Sequence, residues 1–206
     1  MVDIYTVLSN EGTNESLYSS YLGLVPDFGV GFAILSADTA APADLNAHAD
    51  IIGDVVLEAF MKTAVKQAAK NFGGAYKASN INSSIVVGYD SLPGLFIREF
   101  VSNGTDFREI LTELVNVASP DDLSIRLYPT QLFEDSGSGS KQAFRAVFQD
   151  VTELADNRTP TCVSWLGLDK LQYGGRGLDE FIISLDQSGQ AVSVEIPALQ
   201  VSLNRN

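Results

Sequence analysis

Cysteine, histidine, tryptophan and basic residues are all scarce in this 206-residue chain. Cys162 is its single cysteine, so no disulfide can form within the chain and no cysteine cluster can hold a metal. His48 is its single histidine, which excludes a histidine-rich zinc site and leaves any Ser-His-Asp triad only that ring to use. Against 26 acidic residues stand 13 lysines and arginines, a formal charge of −13. Nucleic acid and anionic membrane are therefore not expected as partners, because both are bound by neutralising phosphate with Lys and Arg. No run of about 18 apolar residues exists to span a bilayer. The opening MVDIYTVLSNEG lacks the basic start and small-residue cleavage site of a signal peptide, so the chain as given is expected in the cytoplasm. The sequons at Asn14, Asn82, Asn103 and Asn157 would be glycan acceptors in a secretory compartment, a hint that relatives are secreted.

What is present points to an α+β protein. Leu17 to Asp38 reads as two apolar strands folded about Pro26-Asp27-Phe28-Gly29. From Asp44 to Phe72 the spacing predicts a long helix, with Ile51, Ile52, Val55, Val56, Ala59, Phe60, Thr63, Ala64 and Ala68 on one stripe. Glu58 and Lys62 form an i,i+4 pair on its other side, and Gly73-Gly74 ends it. Short strand-like runs follow: Ser84 to Tyr89, Gly94 to Val101, Leu123 to Tyr128, Gln142 to Val151, Cys162 to Leu168, Glu180 to Leu185 and Ala191 to Leu203. A second helix, Phe107 to Val117, interrupts them, capped by Thr105 or Asp106 and burying Ile110, Leu111, Leu114 and Val115. In the last run the alternation slips by one residue at Pro197-Ala198, which predicts a bulge or bend. Glu134 to Lys141 and Ala155 to Pro160 read as loops. The expected architecture is an N-terminal hairpin and helix, residues 1–73, beside a curled antiparallel sheet or barrel, residues 74–206. A hairpin and one helix cannot cover both faces of an apolar sheet, so a homodimer or a separately encoded partner is expected.

The order IYT, YSSYLGLVPDFGVGFAILSAD, a long helix, NFGGAY, VSNGTDF, IRLYPT, TCVSWLGLD, YGGRGLDEFIISLD and VEIPALQVSL resembles the C-terminal part of fungal β-lactamase-like serine hydrolases. That resemblance implies the closing strands and last helix of a penicillin-binding-type domain, followed by a β-rich, lipocalin-like domain. It also implies a Ser-x-x-Lys nucleophile helix and a Tyr-x-Asn element upstream, where lysine and tyrosine activate the serine. The chain begins after the place for both. The family's third box, Lys-Thr-Gly-like, falls at Asp3 to Ser9, where its lysine and glycine positions read Val7 and Ser9; valine cannot hold a substrate carboxylate. An autonomous β-lactamase or esterase is not expected, and no catalytic residue is assigned.

His48, near Asp44, Asp50 and Asp54, has the composition of a general base or of a solvated surface residue. Asp179 and Glu180 follow the glycine cluster 174–177, which fits no phosphate loop, and Asp121, Asp122 and Asp150 match no calcium loop. Neither a cofactor nor a metal is expected. Aromatic residues recur across the strands, and a small barrel either fills with them or leaves room for one apolar ligand. Tyr89, Phe100, Arg126, Tyr128 and Trp165 are the candidate ligand-binding residues for a lipophilic small molecule, with Arg98, Glu99 and Arg145 as further polar groups that interrupt apolar strands. Two functions follow: a lipophilic-ligand protein that steers a cyclisation or isomerisation in secondary metabolism without a nucleophile, or a non-catalytic subunit of a serine hydrolase that completes a partner's sheet.

Overall fold

The computed structural model describes residues 5–6, 18–37, 44–90, 92–135, 137, 139–152 and 167–206. Val7 and Ser9 of the degenerate box, the loop 155–160, Trp165 and most of the strand expected at 162–168 lie outside them. The chain divides into two compact units, Met1–Ala64 and Val65–Asn206.

In the first unit, β1 (Tyr5–Thr6), β2 (Tyr18–Val25) and β3 (Val30–Ala37) form an antiparallel sheet in that order, followed by α1 (Leu45–Phe72), which continues into the second unit. The hairpin turn is the expected one. Pro26–Phe28 make a 3-10 turn, and Gly29 takes φ 63°, its N–H returning to Pro26 O at 3.0 Å. Proline supplies the first dihedral and glycine the left-handed one. One sheet face carries Tyr21, Phe32 and Ile34 onto Leu45 and Ala49 of α1. At Gly23 a Cβ would sit 2.4 Å from the Phe32 ring, so a larger residue there would displace that ring. Phe28 stacks on Phe60 with centroids 5.2 Å apart.

The packed stripe of α1 is rotated from the one the spacing predicts. Leu45, Ala49 and Gly53 are buried and Ile52, Val56, Phe60, Ala64 and Ala68 half-buried, whereas Ala59 and Thr63 are exposed and Ile51 and Val55 are 66% and 65% exposed. Apolar residues occur on both sides of this helix, so periodicity alone did not select the covered one. Glu58 and Lys62 pair at 2.5 Å as expected.

The second unit is a barrel. Its strands are β4 (Gly74–Ala78), β5 (Ser83–Gly88), β6 (Leu95–Ser102), β7 (Thr105–Asp106), β8 (Leu123–Asp135), β9 (Gly139–Asp150), β10 (Gln172–Tyr173), β11 (Arg176–Gly177), β12 (Glu180–Asp186), β13 (Ala191–Ile196) and β14 (Val201–Arg205), with α2 (Phe107–Val115) after β7. Antiparallel pairing runs β4-β5-β6-β8-β9-β12-β13-β14 and returns from β14 to β4, an 8-strand closed up-and-down barrel. Strand β4 is absent from the sequence-based expectation, because Gly73-Gly74 reads there only as a helix stop. Along β8 the burial alternates, Leu123, Ile125 and Leu127 in and Ser124, Arg126 and Tyr128 out. The same alternation on the other strands gathers Tyr76, Ile85, Ile97, Phe100, Phe181 and Val194 into one core.

Pro197-Ala198 marks a chain reversal, not a bulge within one strand. Pro197–Leu199 form a 3-10 turn, Gln200 takes φ 52°, and β13 pairs with β14. The β4–β5 turn is built alike, Ser79–Ile81 followed by Asn82 at φ 44°. In α2, Asp106 is the cap and accepts from Arg108 N at 2.9 Å. Phe107, Leu111 and Thr112 are buried, whereas Ile110 and Leu114, expected inside, are 38% and 51% exposed, because Phe107 rather than Ile110 enters the core beside Phe100.

Two arginines fasten the helices to the barrel. Arg108 donates to Ile97 O, Pro120 O and Leu123 O at 3.1, 2.6 and 2.7 Å. Arg205 donates to Asn71 O and Ala191 O at 3.3 and 3.1 Å, and to Lys70 O and Gly73 O at 3.3 and 2.5 Å, capping the last carbonyls of α1. Arg205→Ala should therefore lower the stability of the barrel by about 2–3 kcal/mol, read by chemical denaturation, since several carbonyls lose a charged donor at once; Arg205→Lys should recover only part of the loss.

Candidate functional site

The barrel's outer surface and the sheet of the first unit carry the candidate features. On the barrel, Arg126 projects outward from β8 and meets Asp90 through both carboxylate oxygens, at 3.0 and 2.5 Å, and Pro93 O at 3.2 Å. The Phe96 ring lies 5.5 Å from its guanidinium carbon. Arg126 donates to the Asp90 carboxylate and holds its pKa below the ordinary value, with desolvation opposing. Burial raises the pKa of Tyr128 on the same strand, Arg126 and Asp90 acting on it in opposite senses. A Cβ at Gly94, which has φ +85°, would sit 3.0 Å from the Tyr128 ring.

Of the candidate ligand residues, the structure thus places Arg126 and Tyr128 together outside the barrel, and Tyr89, 57% exposed, adjoins Asp90 in the chain. Phe100 belongs to the core, its ring 4.8 Å from Phe107 and 6.2 Å from Phe181. Arg98 and Glu99 are both exposed, because a register shift opposite Val86 and Val87 inserts an extra residue in β6.

Arg145 also faces outward, where it joins a cluster around Asp179, one of the two acids that follow residues 174–177. Its Nη1 donates to Asp169 Oδ1 at 2.8 Å and to the buried Asp179 Oδ1 at 3.2 Å, while Asp169 N donates to Asp179 Oδ2 at 3.2 Å. Desolvation opposes the Arg145 charge, but Asp169, Asp179 and Glu180 outweigh it and raise the pKa. Gly177 sits inside this cluster; a Cβ there would lie 2.4 Å from Asp179 Oδ1. The spacing of Asp169 and Asp179 around one arginine is a fastening for the 167–179 loop. His48 is exposed, and its Nδ1 donates to Asp44 O at 2.8 Å.

The Ser-x-x-Lys spacing, expected only upstream of this chain, does occur within it. Ser138-Gly139-Ser140-Lys141 has Ser-x-x-Lys spacing. Gly139 to Lys141 belong to strand β9, and Lys141 pairs with Glu195 at 3.3 Å, so this is not the helical turn that sets a serine beside its base.

The first unit offers an apolar surface. Opposite the face packed on α1, Tyr18 and Leu35 are 74% and 80% exposed, with Leu22 and Leu24 at 38% and 37%. Along β3, VGFAILSA contains no charge and no proline, and among the described residues no strand pairs with its outer edge.

Comparison with known proteins supplies the family. Residues 64–206 match the family described as "Beta-lactamase-like-like, C-terminal domain", and the chain belongs to that family. It is 24% identical to a "Beta-lactamase-like protein" of Arthroderma benhamiae, over 97% of this chain and 37% of that protein. It is 23% identical to "Probable hydrolase clz13" of Cochliobolus lunatus, over 91% of this chain and 32% of that protein. The chain thus spans about a third of the length of these curated relatives. No solved structure matches.

The Asp90–Arg126 pair gives a pH test. A depressed folded pKa means that Asp90 contributes stability at neutral pH and loses it as the pH falls through that depressed value. Asp90→Asn should cost about 0.5–1 kcal/mol near pH 7, the partial exposure of the pair keeping it small. The difference in melting temperature between the two proteins should close on acidification.

Proposed function

We propose that this chain is a non-catalytic part of a β-lactamase-like hydrolase, whose apolar sheet face completes the sheet layer of a separate, nucleophile-bearing partner. One observation carries the reading: a sheet with an apolar residue such as Leu35 left 80% exposed beside an uncharged edge strand. Monomeric soluble proteins seldom leave such surfaces together without an interaction role. Exposed Ile51 and Val55 on α1 add a second apolar strip in the same unit. The relatives named as probable hydrolases are about three times as long as the matched span, so a catalytic portion of that kind is the partner of choice. On this reading the chain contributes sheet and barrel, and the partner contributes serine, lysine and tyrosine.

Co-expression with the unmatched segment of the Arthroderma relative should yield a one-to-one complex by light scattering. Leu35→Lys with Leu22→Lys should weaken that complex at least tenfold, since burying each leucine is worth about 1.5–3 kcal/mol. A complex indifferent to both substitutions would contradict the reading. Covalent labelling of the purified chain alone by a fluorophosphonate or penicillin-type probe would overturn its non-catalytic character.

The alternative, a lipophilic ligand held in a lipocalin-like barrel and cyclised or isomerised there, has less support. The inward positions of the strands are taken by the barrel's own side chains, Phe100 included.

A further inference from the structure

The β10–β11 hairpin borders a groove of about 430 Å³ on the outer side of β12, β13 and β14. Half-buried Ile182 and Pro197 give it apolar wall, and exposed Arg176, Gln200 and Ser202 give it polar rim. Its volume falls in the range of small-molecule sites, about 300–1,000 Å³.

The charges of the groove are unequally matched. Glu195 lines it, but Lys141 neutralises that carboxylate at 3.3 Å. Arg176 makes no ion pair or hydrogen bond through its guanidinium among the described residues. In a chain of net charge −13, this rim thus carries a cation with no partner among the described residues.

The backbone that carries the arginine is held in place. Leu178 N donates to Leu171 O at 2.8 Å across the base of the hairpin, and the Arg145–Asp169–Asp179 cluster closes over Gly177, the residue after Arg176. A cation on a fixed hairpin loses less freedom on binding than one on a loose loop.

We propose that this groove binds a small carboxylate with a short apolar tail. The carboxylate lies on the Arg176 guanidinium, which matches it with paired N–H donors. Gln200 and Ser202 supply further donors, and the tail lies on Ile182 and Pro197. Because the groove is open, affinity for a ligand of about ten heavy atoms is weak, with Kd near 1 mM.

Octanoate is the probe, followed by amide chemical shifts of the ¹⁵N-labelled full chain. Saturable shifts are expected at Arg176, Ile182, Gln200 and Ser202, with neutral octanamide at least tenfold weaker. Arg176→Gln, an exposed position, should weaken octanoate at least fivefold. Lys141→Gln should weaken it too, by releasing Glu195 to compete for Arg176, whereas Glu195→Gln should tighten it. Absence of saturable shifts at these residues, equal binding of octanamide, or an unchanged Kd in Arg176→Gln would overturn the proposal.

Discussion

The barrel closes through a short seam. Strands β14 and β4 share the register pairs Asn204–Lys77 and Arg205–Tyr76, with Asn206 N reaching Ala75 O at 2.9 Å. So brief a ladder depends on what flanks it, and Arg205 flanks it with donors to Lys70, Asn71, Gly73 and Ala191 carbonyls. One guanidinium thus satisfies the orphan acceptors at the end of α1 and joins the first strand of the barrel to the last two. Tyr76 adds to the same junction, its hydroxyl donating to Phe72 O at 2.5 Å and its ring fully buried. Burial raises the Tyr76 pKa, Arg205 opposing it, so the hydroxyl stays a donor.

Closure explains where polarity went. Once each strand pairs on both sides, side chains must point either into the core or out to solvent. The arginines that interrupt apolar strands, Arg126 and Arg145, go outward and find carboxylates there. The inside receives the aromatic and aliphatic residues. The two features on which the proposals rest therefore lie on outer faces: the uncovered sheet of the first unit and the groove beside the β10–β11 hairpin.

Much of this was legible in the residues. The Pro-Asp-Phe-Gly hairpin, the long helix, the Asp106 cap and the alternating strands follow from local chemistry, and the family follows from texture along the whole chain. Other features have no local signal. Arg205 reads as an ordinary residue near the end of a strand, and its partners lie more than a hundred residues away in sequence. Strand β4 was hidden because Gly73-Gly74 satisfies two needs, stopping a helix and starting a strand. The face of α1 that packs could not be chosen because Ile51 and Val55 are as apolar as Ile52 and Val56. Pro197 read as a kink because its turn, unlike Pro26's, ends in Gln200 instead of glycine at the left-handed position.

The outer border of β3 has a consequence for the polypeptide in the cell. Eight uncharged residues with no proline and no bulge offer a ready template for their own kind, and identical edges in a concentrated solution propagate stacked ladders. On the proposed reading, synthesis of this protein ahead of its partner would draw it toward chaperones and insoluble deposits, and its abundance would follow the timing of the partner's production.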